Sequence, residues 1–256
     1  MKMFFNGEDL GVTVAFIDLQ PTAPFRVFEM PVPYRHGSVI ERGFRESRTI
    51  ETDVIVHKQT KSAFESELDA VNRKLDVSQP SELRFDGFLE DRYWKALPLN
   101  WIQAERRKMG GVYRLSFIAG DPFAYSVDES TVDEGISGSP AVIEVEVGGS
   151  APSQPIIILK NLSESATTSA ISVSNLTGEG SLGWSGELEQ DDMLRIDSER
   201  MFVHKSTNDG VTWVPVMVDL FTTHTFPSLL PGMQNDIQVL GISNGSVSIV
   251  YRDRYL

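Results

Sequence analysis

One segment of this chain has a sustained helical pattern, and almost everything else reads as short strands. In Lys61–Asp76, Phe64, Leu68, Val71 and Leu75 recur at i, i+4, i+7 and i+11, which places them on one stripe. Ser62 with Glu65 fits a capping box at the start, Asp69 with Arg73 fits an i, i+4 pair, and Ser78-Gln79-Pro80 stops the helix. Elsewhere apolar runs are cut by Gly, Pro, Asn, Asp and Ser. Val12–Asp18, Thr49–Lys58, Leu83–Phe88, Tyr93–Leu97 and the alternating Tyr113-Arg114-Leu115-Ser116-Phe117 read as strands before residue 120. A single one-sided helix among strands needs a sheet to cover it. The chain must therefore be mainly β, with one helix in its first half.

Charge divides the chain near residue 121. Met1–Gly120 holds 17 of the 23 Lys+Arg and 17 of the 36 Asp+Glu, so the whole net charge of −13 lies beyond it. We expect a first domain over residues 1–130 and a linker at 131–140, inside the polar run Asp128–Pro140. A second domain follows over 141–256. In the second part Val142, Val145 and Val147, then Pro155–Leu159, Ile171 with Val173, Met193–Asp197 and Met201–Lys205 read as strands. Ser198-Glu199-Arg200 is a hairpin turn, Asn208-Asp209-Gly210 a turn before Val211–Leu220, and Asn244-Gly245 a second hairpin between Asp236–Ile242 and Ser246–Tyr251. Closely spaced strands without helices predict an antiparallel sandwich.

Several functions are disfavoured on chemical grounds. An acidic chain lacks the clustered Lys/Arg that phosphate binding requires. There is no cysteine, hence no disulfide and no thiolate metal site, which fits folding in a cytoplasm. No run approaches a membrane span, and the N-terminus has no signal-peptide core. Asn161, Asn175 and Asn244 sit in Asn-x-Ser/Thr matches, read here as chance matches in turn-rich sequence. The histidines His36, His57, His204 and His224 are scattered, so no metal or other cofactor is expected.

Three motifs have a bland and a sharp reading. Gly178-x-Gly180-x-x-Gly183 matches a dinucleotide fingerprint, but no helical pattern follows, and a glycine-rich hairpin is the better reading. Glu187, Glu189, Asp191 and Asp192 form an acidic cluster such as glycosidases or calcium sites use. The bland reading is a solvated strand face, with Glu187 and Glu189 on one side of it. Trp94, Trp101, Trp184 and Trp213 fit core packing, and Trp184, flanked by glycines, is the best candidate for stacking on a sugar.

The ordered set of features resembles the distal tail protein family of phages with long, non-contractile tails. Four pieces carry it: the lone helix Lys61–Asp76; Gly111-Val112-Tyr113-Arg114-Leu115-Ser116-Phe117 running into Asp121-Pro122-Phe123-Ala124-Tyr125; the strand Asp191–Asp197; and Phe226-Pro227-Ser228-Leu229-Leu230-Pro231-Gly232 followed by a closing Val250–Leu256. The resemblance implies a ring-forming N-terminal β-sandwich or barrel with one helix, then a galectin-like β-sandwich. It implies a homo-hexamer at the tail tip that joins the tail tube protein to baseplate and receptor-binding proteins. DNA would pass through the ring without specific binding or membrane insertion. The chain would be made in the bacterial host cytoplasm, act in the virion and have no enzymatic role. Arg35, Arg42, Arg45 and Arg48, set among Glu41, Glu46 and Glu51, are the expected subunit-interface charges, against the alternative of a solvated loop. The runner-up function is carbohydrate binding to host wall sugars through the second domain. A tail-associated glycosidase using Glu187 or Glu189 is third.

Overall fold

The computed structural model describes residues 1–19, 24–31, 36, 38–107, 109–167, 170–217 and 225–256. The chain forms two compact units, Met1–Val127 with Leu256, and Asp128–Tyr255.

The first unit is an antiparallel barrel. Its strands are β1 (Lys2–Phe5), β2 (Glu8–Leu19), β5 (Arg48–His57), β6 (Ser81–Phe85), β7 (Arg92–Arg107) and β8 (Gly110–Ala119). They run in the order β7-β6-β1-β2-β5-β8, and β8 pairs back onto β7, which closes the sheet. The long β7 can pair on both sides because register shifts at Pro98/Asn100 and Gln103/Glu105 bend it. A short β9 (Ala124–Ser126) adds to the start of β7. Inward positions alternate along β5: Arg48, Ile50, Thr52, Val54 and Val56 are all buried.

The helix α1 (Lys61–Leu75) follows β5 and lies against β2 and β5. Phe64 and Val71 are buried and Leu68 and Leu75 half-buried, as the stripe predicts. The cap differs from expectation. Thr60 is the N-cap, its hydroxyl accepting from Ala63 N at 3.2 Å, and Glu65 pairs with Lys61 at 3.5 Å instead of closing a box with Ser62. Lys58–Glu67 (3.1 Å) and Lys74–Glu8 (3.7 Å) bridge the helix to the strands.

Between β2 and β5 the chain forms a hairpin the sequence reading did not contain. Among the described residues, β3 (Phe25–Pro31) and β4 (Ser38–Arg45) pair only with each other, from Phe25 opposite Arg45 to Pro31 opposite Ser38.

The second unit is a two-sheet antiparallel sandwich. One sheet has the order β10-β19-β12-β15-β16-β17: β10 (Ser130–Ile136), β19 (Gly245–Tyr251), β12 (Ile156–Asn161), β15 (Met193–Asp197), β16 (Phe202–Ser206) and β17 (Val214–Pro215). The other has the order β11-β18-β13-β14: β11 (Ala141–Val147), β18 (Met233–Leu240), β13 (Ile171–Asn175) and β14 (Ser181–Trp184). One apolar core, with Ile157, Leu194 and Ile249 from the first sheet and Val145, Val173 and Ile237 from the second, fills the space between them.

Three expectations are corrected here. The stretch 131–140, expected as a linker after a first domain ending at 130, contains most of β10, and the units divide at Val127/Asp128. β10 is an edge strand paired along its length with β19, and only Ile136 is buried, so its polar composition is that of a solvated edge. Asn244-Gly245 does not make a hairpin, since β18 and β19 belong to opposite sheets and the chain crosses over between them. Of the strand expected at Val211–Leu220, Val214–Pro215 forms β17, and residues 218–220 lie outside the described residues. The Ser198–Arg200 turn does join β15 to β16, and Gly178–Gly183 belongs to the β13–β14 hairpin, with no helix after it.

Candidate assembly interface

The hairpin β3–β4 is the most unusual surface in the first unit. Every residue of β3 is exposed. Phe25 (56%), Phe28 (43%), Met30 (50%), Ile40 (67%) and Phe44 (52%) all face solvent. Alternation with one register shift puts apolar side chains on both faces of the ribbon, so neither face is a core face. The ribbon's internal order comes from local contacts. Phe28 and Phe44 meet at 5.8 Å between centroids, the Arg26 guanidinium lies 5.7 Å over Phe28, and that of Arg45 lies 5.8 Å over Phe25. Gly43 permits close strand approach, because a Cβ there would strike the Arg26 carbonyl. A two-stranded ribbon is marginal in water, and this one presents clustered apolar side chains of the kind that mark interaction sites.

The four arginines proposed for subunit contacts fare differently. Arg35 lies outside the described residues. Arg42 lies on β4, with its side chain outside them. Arg45 is half-buried at the hairpin base. Arg48 begins β5 pointing inward and is 1% exposed, with Nε and Nη2 buried and without hydrogen-bond partners. Burial pushes its guanidinium below the usual arginine range, and the neighbouring Arg45 charge adds to that. Arg48 is thus a core-facing cation at the barrel end that carries the hairpin, not a surface charge.

Trp184 does not offer a ring to solvent. It is 1% exposed in the sandwich core, and a Cβ at Gly186 would collide with its indole. The flanking glycine that suggested an open platform is there to let backbone approach the ring. Trp94 is equally buried, in the barrel, with its ring edge toward Phe85. Trp101 and Trp213 are half-buried.

Two of the four carboxylates of the acidic cluster, Asp191 and Asp192, are paired with lysines. Glu187 and Glu189 lie in the loop after β14, not on a strand. Asp192 is buried, accepts from Glu189 N at 2.9 Å and pairs with Lys205 at 2.7 Å. Lys160 reaches Asp209 at 2.8 Å and Asp191 at 3.5 Å, and these carboxylates hold its ammonium above the usual lysine range. No group of three or more metal-ligating side chains occurs among the described residues. The signal that sequence reasoning missed is the density of aromatic and aliphatic residues in Phe25–Met30 and around Phe44. It has no clean period of 2, because both faces are apolar.

No family model matches the chain, and no curated relative matches it. Solved structures do. The SPP1 Dit (gp 19.1) protein, described as a paradigm of the hub adsorption apparatus in phages infecting Gram-positive hosts, superimposes with a TM-score of 0.76. The match covers 100% of this chain and 99% of that one at 16% identity. Chains of the phage p2 baseplate in its activated conformation match at 0.51 with Ca and 0.53 with Sr, both at 7% identity. They cover 94% and 97% of this chain, and 90% and 97% of theirs. Barrel, helix and sandwich therefore recur together and in order, and this chain has over its whole length the fold of the distal tail (Dit) proteins that its sequence resembles.

Proposed function

We propose that this chain is a structural, non-enzymatic subunit of a phage tail tip, which closes into a homo-hexameric ring through its first unit. The observation that carries this is the hairpin β3–β4, an apolar ribbon whose β3 residues are all exposed among the described residues. Such a surface is stable in a soluble protein when a partner covers it, and a repeated contact of one copy on the next closes into a ring. The whole-length likeness to a hub protein supports the same reading. The ring would join the tail tube to baseplate and receptor-binding proteins. Over Met1–Gly120 the ring-forming unit carries 17 Lys+Arg against 17 Asp+Glu, so a channel wall built from it would have no excess of cations with which to hold the phosphates of passing DNA. Sugar binding through Trp184 has lost its residue to the core, and Lys205 and Lys160 occupy Asp192 and Asp191 of the acidic cluster.

The test is the pair Phe28→Ser and Phe44→Ser. Both residues are exposed in the single chain, so together they change its unfolding free energy by about 1 kcal/mol or less. The native mass should nevertheless fall from a ring to a monomer. An unchanged ring would remove the hairpin as its clasp.

A further inference from the structure

We infer that the pocket at one end of the sandwich, where the loop after β12 meets the crossover from β18 to β19, binds a neutral saccharide. This goes beyond the ring reading and does not depend on it. It also moves sugar recognition away from Trp184, which is buried.

The pocket holds about 380 Å³, within the range of roughly 300–1,000 Å³ typical of small-molecule sites. Ser139 comes from the segment between β10 and β11, Ser163, Ser165 and Thr167 from the loop after β12, Leu240 from the end of β18, and Ser243 from the crossover. Hydrogen bonds fix these walls. Asn161 is 1% exposed; its Nδ2 donates to the carbonyls of Ser165 (3.1 Å), Leu188 (2.9 Å) and Glu189 (3.2 Å), and its Oδ1 accepts from Ser163 N (3.1 Å). Leu162 N donates to the Asn244 carbonyl at 3.0 Å, which ties the loop to the crossover, and Ser139 Oγ accepts from Gly241 N at 3.1 Å. A site held in this way loses little freedom when a ligand enters it.

The chemistry of the lining selects the ligand. The hydroxyls of Ser163, Ser165 and Ser243 make no hydrogen bond among the described residues, so each can both donate and accept. Thr167, 8% exposed, accepts from Leu188 N at 3.0 Å through Oγ1 and keeps its own proton for a ligand. Groups that donate and accept from several walls match a molecule that carries hydroxyls of its own. Among the described residues no ionisable side chain lines the pocket; Glu164, between two of the serines, stands outside it. A charged ligand would meet no counter-charge there, and the net negative charge beyond residue 120 disfavours an anion. Leu240, 36% exposed, supplies an apolar wall for the C–H face of a sugar ring.

The test titrates the full-length chain by calorimetry with glucose, N-acetylglucosamine and maltose, and with glucose 6-phosphate as a charged counterpart. At least one neutral sugar is expected to bind with a Kd of about 1 mM or tighter, and glucose 6-phosphate is expected not to bind. Ser243→Ala should weaken binding about fivefold through one lost hydrogen bond. Ser243→Trp, which fills the pocket from an exposed position, should abolish it, and Ser165→Trp, exposed on the loop after β12, is a second plug should the first fail to fold. Melting and native mass are measured on every variant and should match the parent, which separates loss of the site from loss of the fold or of the ring. No binding of the three neutral sugars at up to about ten times that Kd overturns the inference. So does binding that a folded plug variant leaves intact, or glucose 6-phosphate bound as well as glucose. None of these results touches the ring, which stands or falls by native mass.

Discussion

Replacing Trp184 separates a packing role from a binding role most sharply. The indole is 1% exposed, sits in the sandwich core and touches the backbone at Gly186, so its removal leaves a cavity that rigid strands on both sheets cannot close. Truncating a buried Trp to Ala costs about 3–5 kcal/mol. For a unit the size of Asp128–Tyr255, roughly 4 °C of melting temperature is lost per kcal/mol, so Trp184→Ala should lower the melting of the second unit by about 12–20 °C. Trp184→Phe should cost less, about 1–2 kcal/mol. It keeps most of the ring volume and deletes an indole N–H that is buried without a partner. The assay is calorimetry of the full chain with near-ultraviolet circular dichroism to assign the transition. A Trp184→Ala chain melting within about 2 °C of the parent, yet failing to bind isolated cell walls, would refute the packing account and restore the sugar platform.

Other substitutions test other parts of the molecule. Asn235 is fully buried; its Nδ2 donates to the carbonyls of Leu230 (3.0 Å) and Met233 (3.2 Å), and its Oδ1 accepts from Leu230 N (2.7 Å) and Asn175 Nδ2 (3.0 Å). Asn235→Ala leaves those groups unpaired and should cost about 2–3 kcal/mol in urea unfolding. Arg48→Met removes a buried guanidinium with two unpartnered donors, and should raise the stability of the unassembled chain by about 1–3 kcal/mol, measured in dilute solution. Arg114, by hydrogen bond and charge, holds the Asp53 carboxyl below the usual carboxylate range. A depressed carboxylate contributes stability fully above its unfolded value of about 3.9 and loses it as pH falls through the lower folded value, so the parent should lose more stability than Asp53→Asn on acidification from about pH 5 to pH 2.

The sequence made some features legible and hid others for physical reasons. The helix was readable within a residue because Phe64 and Val71 repeat on one face against a sheet. The β15–β16 hairpin was readable because a polar tripeptide joined two alternating runs. Edge strand β10 was not, because a strand with one buried residue carries no alternation and reads as a linker. Asn244-Gly245 misled because a local turn signal says nothing about which sheet receives the next strand. Trp184 misled because flanking glycines signal either open space or tight approach, and composition cannot distinguish them. The hairpin β3–β4 was missed because apolar residues lie on both of its faces, so no period of two records them.

The central claim is that six copies close into a ring. It is tested most directly by the native mass of the purified full-length chain, together with negative-stain images of the same sample. The account predicts a mass of six chains, or of stacked sixes, and a six-fold ring with a central hole. A monomer of 28.5 kDa at every concentration, with the hairpin still exposed to proteolysis, would contradict it.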